Sequence, residues 1–171
     1  MDGAPAIAPA SRIERPRIDV AVVMERETAP NRYEDWRFRI ADVVADEPAF
    51  GSESRVLRDD GRVRLTLHPG FSLELHRDQA EGYFLNLSSG APVWFVVWRL
   101  DDEDPSRATP ETVSLSYNEA GRWLDAQERV DNVPLAPELV AWLQVYTDEH
   151  YHPEPKKRRR PQSFVSPGER R

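Results

Sequence analysis

The sequence predicts an α+β fold, in which an antiparallel sheet or a half-open barrel is combined with a short crossing helix and two C-terminal helices. Three patterns indicate this class. Most apolar residues before position 77 alternate with polar ones, as they do in strands with one buried face. Residues 93–98 (VWFVVW) are continuously apolar, which is typical of a central strand buried on both faces. Near the C-terminus, two segments carry apolar residues at helical spacing instead.

Two strands are predicted at the start of the globular part. Residues 18–24 (IDVAVVM) and residues 36–40 (WRFRI) both alternate, and the second strand continues into Val43 and Val44. Residues 25–33 contain a Pro-Asn pair and are predicted to form a loop. We expect the two strands to pair as a wide antiparallel hairpin.

A three-stranded meander is predicted over residues 55–76. Asp60-Gly61 fits a tight hairpin turn, because glycine accepts the positive φ that a type I′ turn requires. Pro69-Gly70 fits a type II turn, in which proline sets the first φ and glycine accepts the second. The three strands would cover residues 55–58, 63–67 and 71–75.

A short helix that packs across the sheet is predicted over residues 77–87. Apolar residues recur there at positions i, i+3, i+4 and i+7, and Asp78 and Glu81 suit a first turn. Gly82 should cost about 1 kcal/mol of helix stability. The predicted buried face consists of Ala80, Tyr83, Phe84 and Leu87.

Two helices are predicted in the C-terminal third. Ser116 and Glu119 have the spacing of a capping box, which predicts a helix from there to about Gln127. Residues 130–133 are predicted to bend the chain, and Pro137 fits the first position of a last helix. The buried faces would contain Ala120, Trp123 and Leu124 in the first helix and Leu139, Trp142, Leu143, Tyr146 and His150 in the second.

Charge is distributed unevenly along the chain. The total is −7, and residues 156–171 hold seven basic residues and one acidic residue, so they carry +6 and leave −13 for residues 1–155. We predict a disordered N-terminal segment at residues 1–16, a single globular domain at residues 17–152 and a disordered basic tail at residues 153–171. An acidic body argues against nucleic-acid binding by the domain itself.

The residue types present exclude several classes of site. The chain has no cysteine, so disulfides, thiolate zinc sites and iron–sulfur ligation are excluded. The N-terminus has no apolar run of the secretory type, and we expect a cytoplasmic protein. We found no GxSxG element and no Gly-rich nucleotide loop. No catalytic residue and no bound cofactor are therefore predicted.

No metal site is predicted either. His150 and His152 are two positions apart and would point to opposite sides of a helix. His68 and His76 would lie at different heights on paired strands, about 16 Å apart. The acidic loop at residues 101–104 lacks the spacing of a calcium loop. Residues 88–90 (SSG) could form a small anion nest, but a plain turn is the simpler interpretation.

The basic tail is the strongest feature outside the core. Its cations could bind an acidic protein patch, nucleic acid or an anionic membrane surface, or could only keep the protein soluble. Phe164 and Val165 follow the charges and suggest a docking motif. The predicted partner-binding residues are Lys156, Lys157, Arg158, Arg159, Arg160 and Phe164. Five tryptophans at positions 36, 94, 98, 123 and 142 are predicted to pack in the core, although they could line a pocket.

The sequence resembles a bacterial domain-of-unknown-function family, number 3305. The similarity is carried by residues 18–25 (IDVAVVME) with the Trp36 strand after them, residues 83–87 (YFLNL) with residues 92–99 (PVWFVVWR), residues 113–128 with their SYNEA segment, and residues 135–164, where AWLQVYTDEHY leads into KKRRRPQSF. Together these blocks cover most of residues 17–165. None of them is a catalytic signature, so the similarity is one of overall pattern.

Members of this family are small cytoplasmic proteins that are often encoded beside formate dehydrogenase genes. The resemblance therefore implies a non-catalytic accessory or assembly protein for a molybdenum- or tungsten-dependent formate dehydrogenase. We expect the basic tail to hold an acidic partner, such as a subunit of that enzyme or its maturation machinery. Two alternatives stay open: nucleic-acid binding through the tail, and an enzyme or cofactor carrier with an aromatic pocket.

Overall fold

The computed structural model describes residues 15–29 and 31–153 and has two antiparallel sheets with three α-helices in these ranges. The strands are β1 (Arg17–Thr28), β2 (Trp36–Ala45), β3 (Arg55–Asp59), β4 (Val63–Glu74), β5 (Val93–Leu100), β6 (Ala108–Ser114) and β7 (Arg129–Pro134), and the helices are α1 (Ala80–Ser88), α2 (Tyr117–Asp125) and α3 (Pro137–His150). The sheet orders are β2-β1-β4-β3 and β6-β5-β7. The predicted α+β class is confirmed, and neither sheet is closed into a barrel. The two segments predicted to be disordered lie almost wholly outside the described residues.

The strand β1 organises the four-stranded sheet. It pairs antiparallel with β2 on one side, which confirms the predicted wide hairpin, and with β4 on the other. Residues 20–24 are all buried, because both faces of the strand are covered. One face joins the main core between the sheets, whereas Ala21 and Val23 contact Leu67 on the opposite face. Phe50 lies in a 3₁₀ turn between β2 and β3 and covers this second cluster.

The predicted turn at Pro69-Gly70 is wrong. The strand β4 runs straight through both residues, so the predicted three-stranded meander is a two-stranded hairpin of β3 and β4 that pairs onward to β1. The β1 register shifts here, since Val20 pairs with Phe71 and Val22 pairs with His68. Such a bulge tolerates a proline without an N–H and uses glycine at positive φ, here +93°. The Gly70 N–H donates to the Asp46 carboxylate at 3.1 Å.

The predicted bend at residues 130–133 is also wrong, because these residues lie in β7. This strand pairs with β5, with Asp131 opposite Val96 and Asn132 opposite Phe95. The polar pair resembled a turn, but the Asp131 side chain has a partner outside the strand. The Asp131 carboxylate accepts a hydrogen bond from the Ile40 N–H of β2 at 2.8 Å, which links the two sheets.

The strand β5 is the central strand of the second sheet, as its unbroken apolar sequence predicted. It pairs antiparallel with β6 and with β7. Trp94 is 1% exposed and Trp98 is 8% exposed, and both belong to the main core. Pro110, predicted to lie in a loop, is in β6 opposite Trp98, where the register shifts.

The crossing helix α1 is confirmed, but its buried face differs from the prediction. Ala80 and Tyr83 are buried as expected, whereas Phe84 is exposed and Asn86 is buried instead. The Asn86 amide satisfies all its buried polar atoms. Its nitrogen donates to the backbone oxygens of Val93 (2.8 Å) and Leu115 (2.9 Å), and its oxygen accepts from the Val93 N–H (3.0 Å). This amide therefore ties α1 to the start of β5 and the end of β6.

Gly82 allows α1 to approach the start of α2. A Cβ atom at this position would lie 2.0 Å from the Ser116 hydroxyl oxygen and 3.2 Å from the Asn118 nitrogen. The Ser116 hydroxyl accepts from the Glu119 N–H (3.2 Å), as the capping box predicted, and donates to the Gln79 side chain (2.7 Å). The reverse half of the box is absent, because the Ser116 N–H donates to Ser114 instead.

The two C-terminal helices begin where the sequence predicted. The helix α2 is short and buries Ala120, while Leu124, predicted to be buried, is exposed. The contacts that α2 makes with α1 and β7 leave part of the predicted buried face of α2 uncovered. The helix α3 starts at Pro137 and buries Leu143 and Tyr146 against the core.

Candidate functional site

The residues predicted to bind a partner, Lys156, Lys157, Arg158, Arg159, Arg160 and Phe164, lie outside the described residues. The structure does describe the C-terminal end of the globular domain, after which the tail follows in the sequence. The helix α3 ends at His150, and the Tyr151 N–H donates to the Thr147 oxygen at 2.8 Å. The tail therefore continues from the end of α3 that lies beside α1.

An aromatic pair, in which Phe84 is exposed and Tyr151 is half-buried, lies at this point. The rings of Phe84 in α1 and Tyr151 after α3 stack with their centroids 4.5 Å apart and their planes at 27°. Phe84 is 39% exposed and the neighbouring Leu85 is 37% exposed. We call Phe84, Leu85 and Tyr151 the helix-end patch. Exposed apolar side chains grouped in this way are typical of surfaces that contact other molecules.

The charge near the helix-end patch is negative. Asp148 and Glu149, both exposed, lie in the last turn of α3, and Glu81 is exposed in the first turn of α1. The C-terminal end of a helix also carries a partial negative charge. An acidic partner at the patch would therefore depend on the tail for its positive charge.

A first cleft, of about 370 Å³, lies between β4 and β6 near the start of α2. Glu119 lines it, and burial raises the pKa of the Glu119 carboxyl, while the nearby Arg122, His76 and Ser114 side chains offset part of that rise. His76 lies 3.8 Å from the Glu74 carboxylate. The Ser114 hydroxyl in this cleft accepts from the Ser116 N–H and is not hydrogen-bonded to a histidine.

The histidines have different contacts and do not form one site. His68 is buried in β4 and its Nδ1 lies 2.8 Å from the Ser54 hydroxyl oxygen. His76 follows the same strand, so the predicted arrangement of these two on paired strands is wrong. His150 contacts the Tyr146 ring, with centroids 4.3 Å apart. Residues 15–29 and 31–153 contain no group of three or more His, Asp or Glu side chains placed to hold a metal ion.

The other candidates from the sequence have structural partners. The Asp101 carboxylate accepts from the N–H groups of Glu103 (2.9 Å) and Asp104 (3.1 Å), which closes the acidic loop. The Ser89 hydroxyl donates to the Asn86 oxygen at 2.7 Å, so this turn caps α1. Of the five tryptophans predicted to pack in the core, Trp94 and Trp98 do so and Trp142 packs partly buried against them, whereas Trp36 and Trp123 are half-buried and belong to neither core cluster. The cleft beside Glu119 has no tryptophan in its lining. None of the helices in the part of the chain that the structure describes is long and apolar enough to span a membrane.

Comparison with known proteins identifies the family. Residues 19–160 match the sequence model of a family described as "Protein of unknown function (DUF3305)". No curated protein and no solved structure matches the chain. The matched segment contains the three helices and seven strands of the described residues, apart from Arg17 and Ile18 at the start of β1. Since it covers most of the sequence, the chain belongs to domain-of-unknown-function family 3305.

Proposed function

We propose that the protein is a cytoplasmic, non-catalytic accessory or assembly protein for a molybdenum- or tungsten-dependent formate dehydrogenase. In this proposal the basic tail binds an acidic patch on a subunit of that enzyme or on its maturation machinery. The link to formate dehydrogenase comes from the resemblance, since family members are often encoded beside its genes. The single structural observation that supports partner binding is the helix-end patch.

The patch and the tail are close enough to contact one partner together. Lys156 is five positions beyond Tyr151 in the sequence, and a chain of five residues spans at most about 18 Å. A partner held by residues 156–160 would thus have the stacked Phe84 and Tyr151 rings within reach. Apolar contacts of this kind supply binding energy that salt does not screen, whereas the lysines and arginines supply attraction over a longer range.

The experiment is a pull-down of tagged protein from formate-grown native host cells, with mass spectrometry of the co-purified proteins. We expect formate dehydrogenase subunits or maturation factors. Deleting residues 156–171 should abolish their recovery and leave the melting temperature of the protein almost unchanged, because the two core clusters of the described residues are built without this segment. Recovery of ribosomal proteins and RNA alone would count against the proposal.

Matched substitutions separate the patch from general surface effects. Phe84→Ser should weaken partner recovery, while Leu124→Ser, at an exposed leucine of α2, should not. Phe164→Ser should weaken recovery without changing the charge. If Phe84→Ser and Phe164→Ser both bind like the wild type while duplex DNA displaces the partner, the tail acts as a general polycation. The nucleic-acid alternative would then be favoured, with affinity falling steeply as salt rises.

A further inference from the structure

A second cleft, of about 430 Å³, combines four arginines with an apolar floor. Arg26 of β1, Arg55 of β3 and Arg64 of β4 line it from the first sheet, and Arg107 lines it from the loop before β6. We call it the arginine cleft. Its position is unusual for this protein, because residues 1–155 carry a net charge of −13.

Arg26, which lines this cleft, has a buried hydrogen-bond donor that is not used. Its Nη1 donates to the Ser106 oxygen at 3.0 Å, which fixes the guanidinium across the gap between the two sheets. Its Nε–H is buried and has no acceptor among the described residues. A buried donor without an acceptor costs about 1–3 kcal/mol, so such a group is expected to have a partner in the working state. Burial, followed by the charge of Arg64, also lowers the pKa of Arg26.

The charge of the cleft is only partly neutralised by acids. Arg64 is paired with Asp59 at 2.9 Å, and Asp101 lies in the lining. Arg26, Arg55 and Arg107 form no ion pair with an acid in residues 15–29 and 31–153. Arg55 instead lies over the Phe50 ring, 5.7 Å from its centroid. Asp104 also lies near this group, and hydrogen bonds from Ser106, followed by the charges of Arg107 and Arg26, lower the pKa of its carboxyl. An anion in the cleft would therefore meet four arginines against the carboxylates of Asp59, Asp101 and Asp104.

We propose that the arginine cleft binds a small organic phosphate ester. Planar guanidinium groups bind phosphate oxygens through paired hydrogen bonds, and a doubly charged phosphate balances several arginines better than a single carboxylate does. Met24 and Phe38 line the same cleft and would contact the apolar part of the ester. The volume lies within the range of small-molecule sites. The Arg26 guanidinium, which lines the cleft, donates to a phosphate oxygen, and the signal of its buried Nε–H reports the change in its surroundings.

The test is a titration of the whole protein, labelled with ¹⁵N-arginine, with phenyl phosphate. We expect a saturable shift of the Arg26 Nε–H signal at millimolar concentration, together with a change in tryptophan fluorescence, because the Trp98 ring lies 6.0 Å from the ring of the lining residue Phe38. Phenol, which lacks the charge, should cause no shift. Inorganic phosphate should bind more weakly than phenyl phosphate, and equal affinity would show that the apolar floor makes no contribution and would contradict the assignment to an ester.

Two arginines of β3 provide a matched control. Arg55→Gln should weaken phenyl phosphate binding about tenfold, as loss of a charge-assisted hydrogen bond does. Arg58→Gln should leave the affinity unchanged, because Arg58 pairs with Asp60 and lies outside the cleft. Arg107→Gln is a second cleft variant. Arg107 lies at an exposed position in the loop before β6, so this substitution does not alter a residue of the sheet. An unmoved Arg26 signal, or equal losses for Arg55→Gln and Arg58→Gln, would overturn the proposal.

Discussion

Truncation of Trp98 should clearly lower the free energy of unfolding of the domain. It is 8% exposed, its ring lies 6.0 Å from Phe38, and Arg129 lies 5.3 Å above it. Trp98→Ala should lower the free energy of unfolding by about 3–5 kcal/mol, as truncation of a buried large aromatic does. Chemical denaturation measures this, with Leu124→Ala at an exposed site as the control. An unchanged midpoint for Trp98→Ala would show that the ring is not buried.

The nitrogen of Trp98 allows a finer test at the same position. Its Nε1–H is buried without an acceptor in the described part of the chain. Trp98→Phe removes this donor while keeping an aromatic ring, so part of the lost packing is offset by the removal of an unsatisfied group, worth about 1–3 kcal/mol. We expect Trp98→Phe to cost much less than Trp98→Ala in the same denaturation experiment. Equal costs would indicate that the nitrogen has a partner in solution.

His68 should make stability depend on pH. Burial lowers the pKa of His68 below its ordinary value of 6.5. The unfolded chain therefore binds a proton at higher pH than the folded chain does, and stability is fully present above about pH 6.5 and is lost as pH falls through the folded pKa. Urea midpoints at pH 7.5 and below pH 6.5 should differ more for the wild type than for His68→Gln. The raised pKa of Glu119 acts in the opposite direction and is common to both proteins. Equal pH dependence of the two would show that His68 does not contribute.

Residue patterns predicted the buried aromatics of β5 but not the arginine cleft. The continuous apolar run at residues 93–98 predicted a strand buried on both faces, and the structure confirms this prediction. The four arginines of the cleft are separated by up to 81 positions, and none of them has a local sequence pattern that distinguishes it from a surface arginine. Pairing of β1, β3 and β4 brings Arg26, Arg55 and Arg64 together, and packing of the loop before β6 against this sheet adds Arg107. Asn86 was missed for the same reason, because its three partners lie in other elements.

At the scale of elements, two glycines in helices give opposite predictions. Gly82→Ala should destabilise the protein despite the better helix propensity of alanine, because its Cβ would meet the Ser116 hydroxyl at 2.0 Å and force α1 away from α2. Gly121→Ala in α2 has no atom within 4 Å of the new Cβ and should stabilise by up to about 1 kcal/mol. Thermal unfolding of both variants measures the difference. A stabilised Gly82→Ala variant would mean that the helices can separate at little cost.

Local signals predicted elements well where they agreed with the pairing of the strands. A turn formed at Asp60-Gly61, with Gly61 at a φ of +86°, but the predicted type I′ is wrong, because Asp60 does not have a positive φ. Pro69-Gly70 carried an equally good turn signal, yet β1 is long enough to pair on both sides of it, and a bulge cost less than ending the strand. Asp131 and Asn132 were misinterpreted because a polar pair inside a strand looks like a turn until its distant partner is known.

At the scale of the whole molecule, Asp131 joins the two sheets. The strand β2 is at the edge of its sheet, and the Ile40 N–H donates to the Asp131 carboxylate of β7. Asp131→Ala would leave this donor buried without an acceptor and should cost about 1–3 kcal/mol. Asp131→Asn keeps an acceptor oxygen and should cost less. Denaturation midpoints decide this, with Asp125→Ala at the exposed end of α2 as the control. Equal midpoints for Asp131→Ala and Asp125→Ala would contradict the role of the link.

The composition of the two sheets has a consequence for how the chain is made. The first sheet is built from residues 17–74 and the second from residues 93–134, so each is assembled from one continuous stretch. Synthesis proceeds from the N-terminus, and pairing between near neighbours in sequence is fast. The first sheet can therefore form on the ribosome before its covering layer has been translated. During that interval its apolar face is open to water, and this is when the nascent chain is most prone to aggregate.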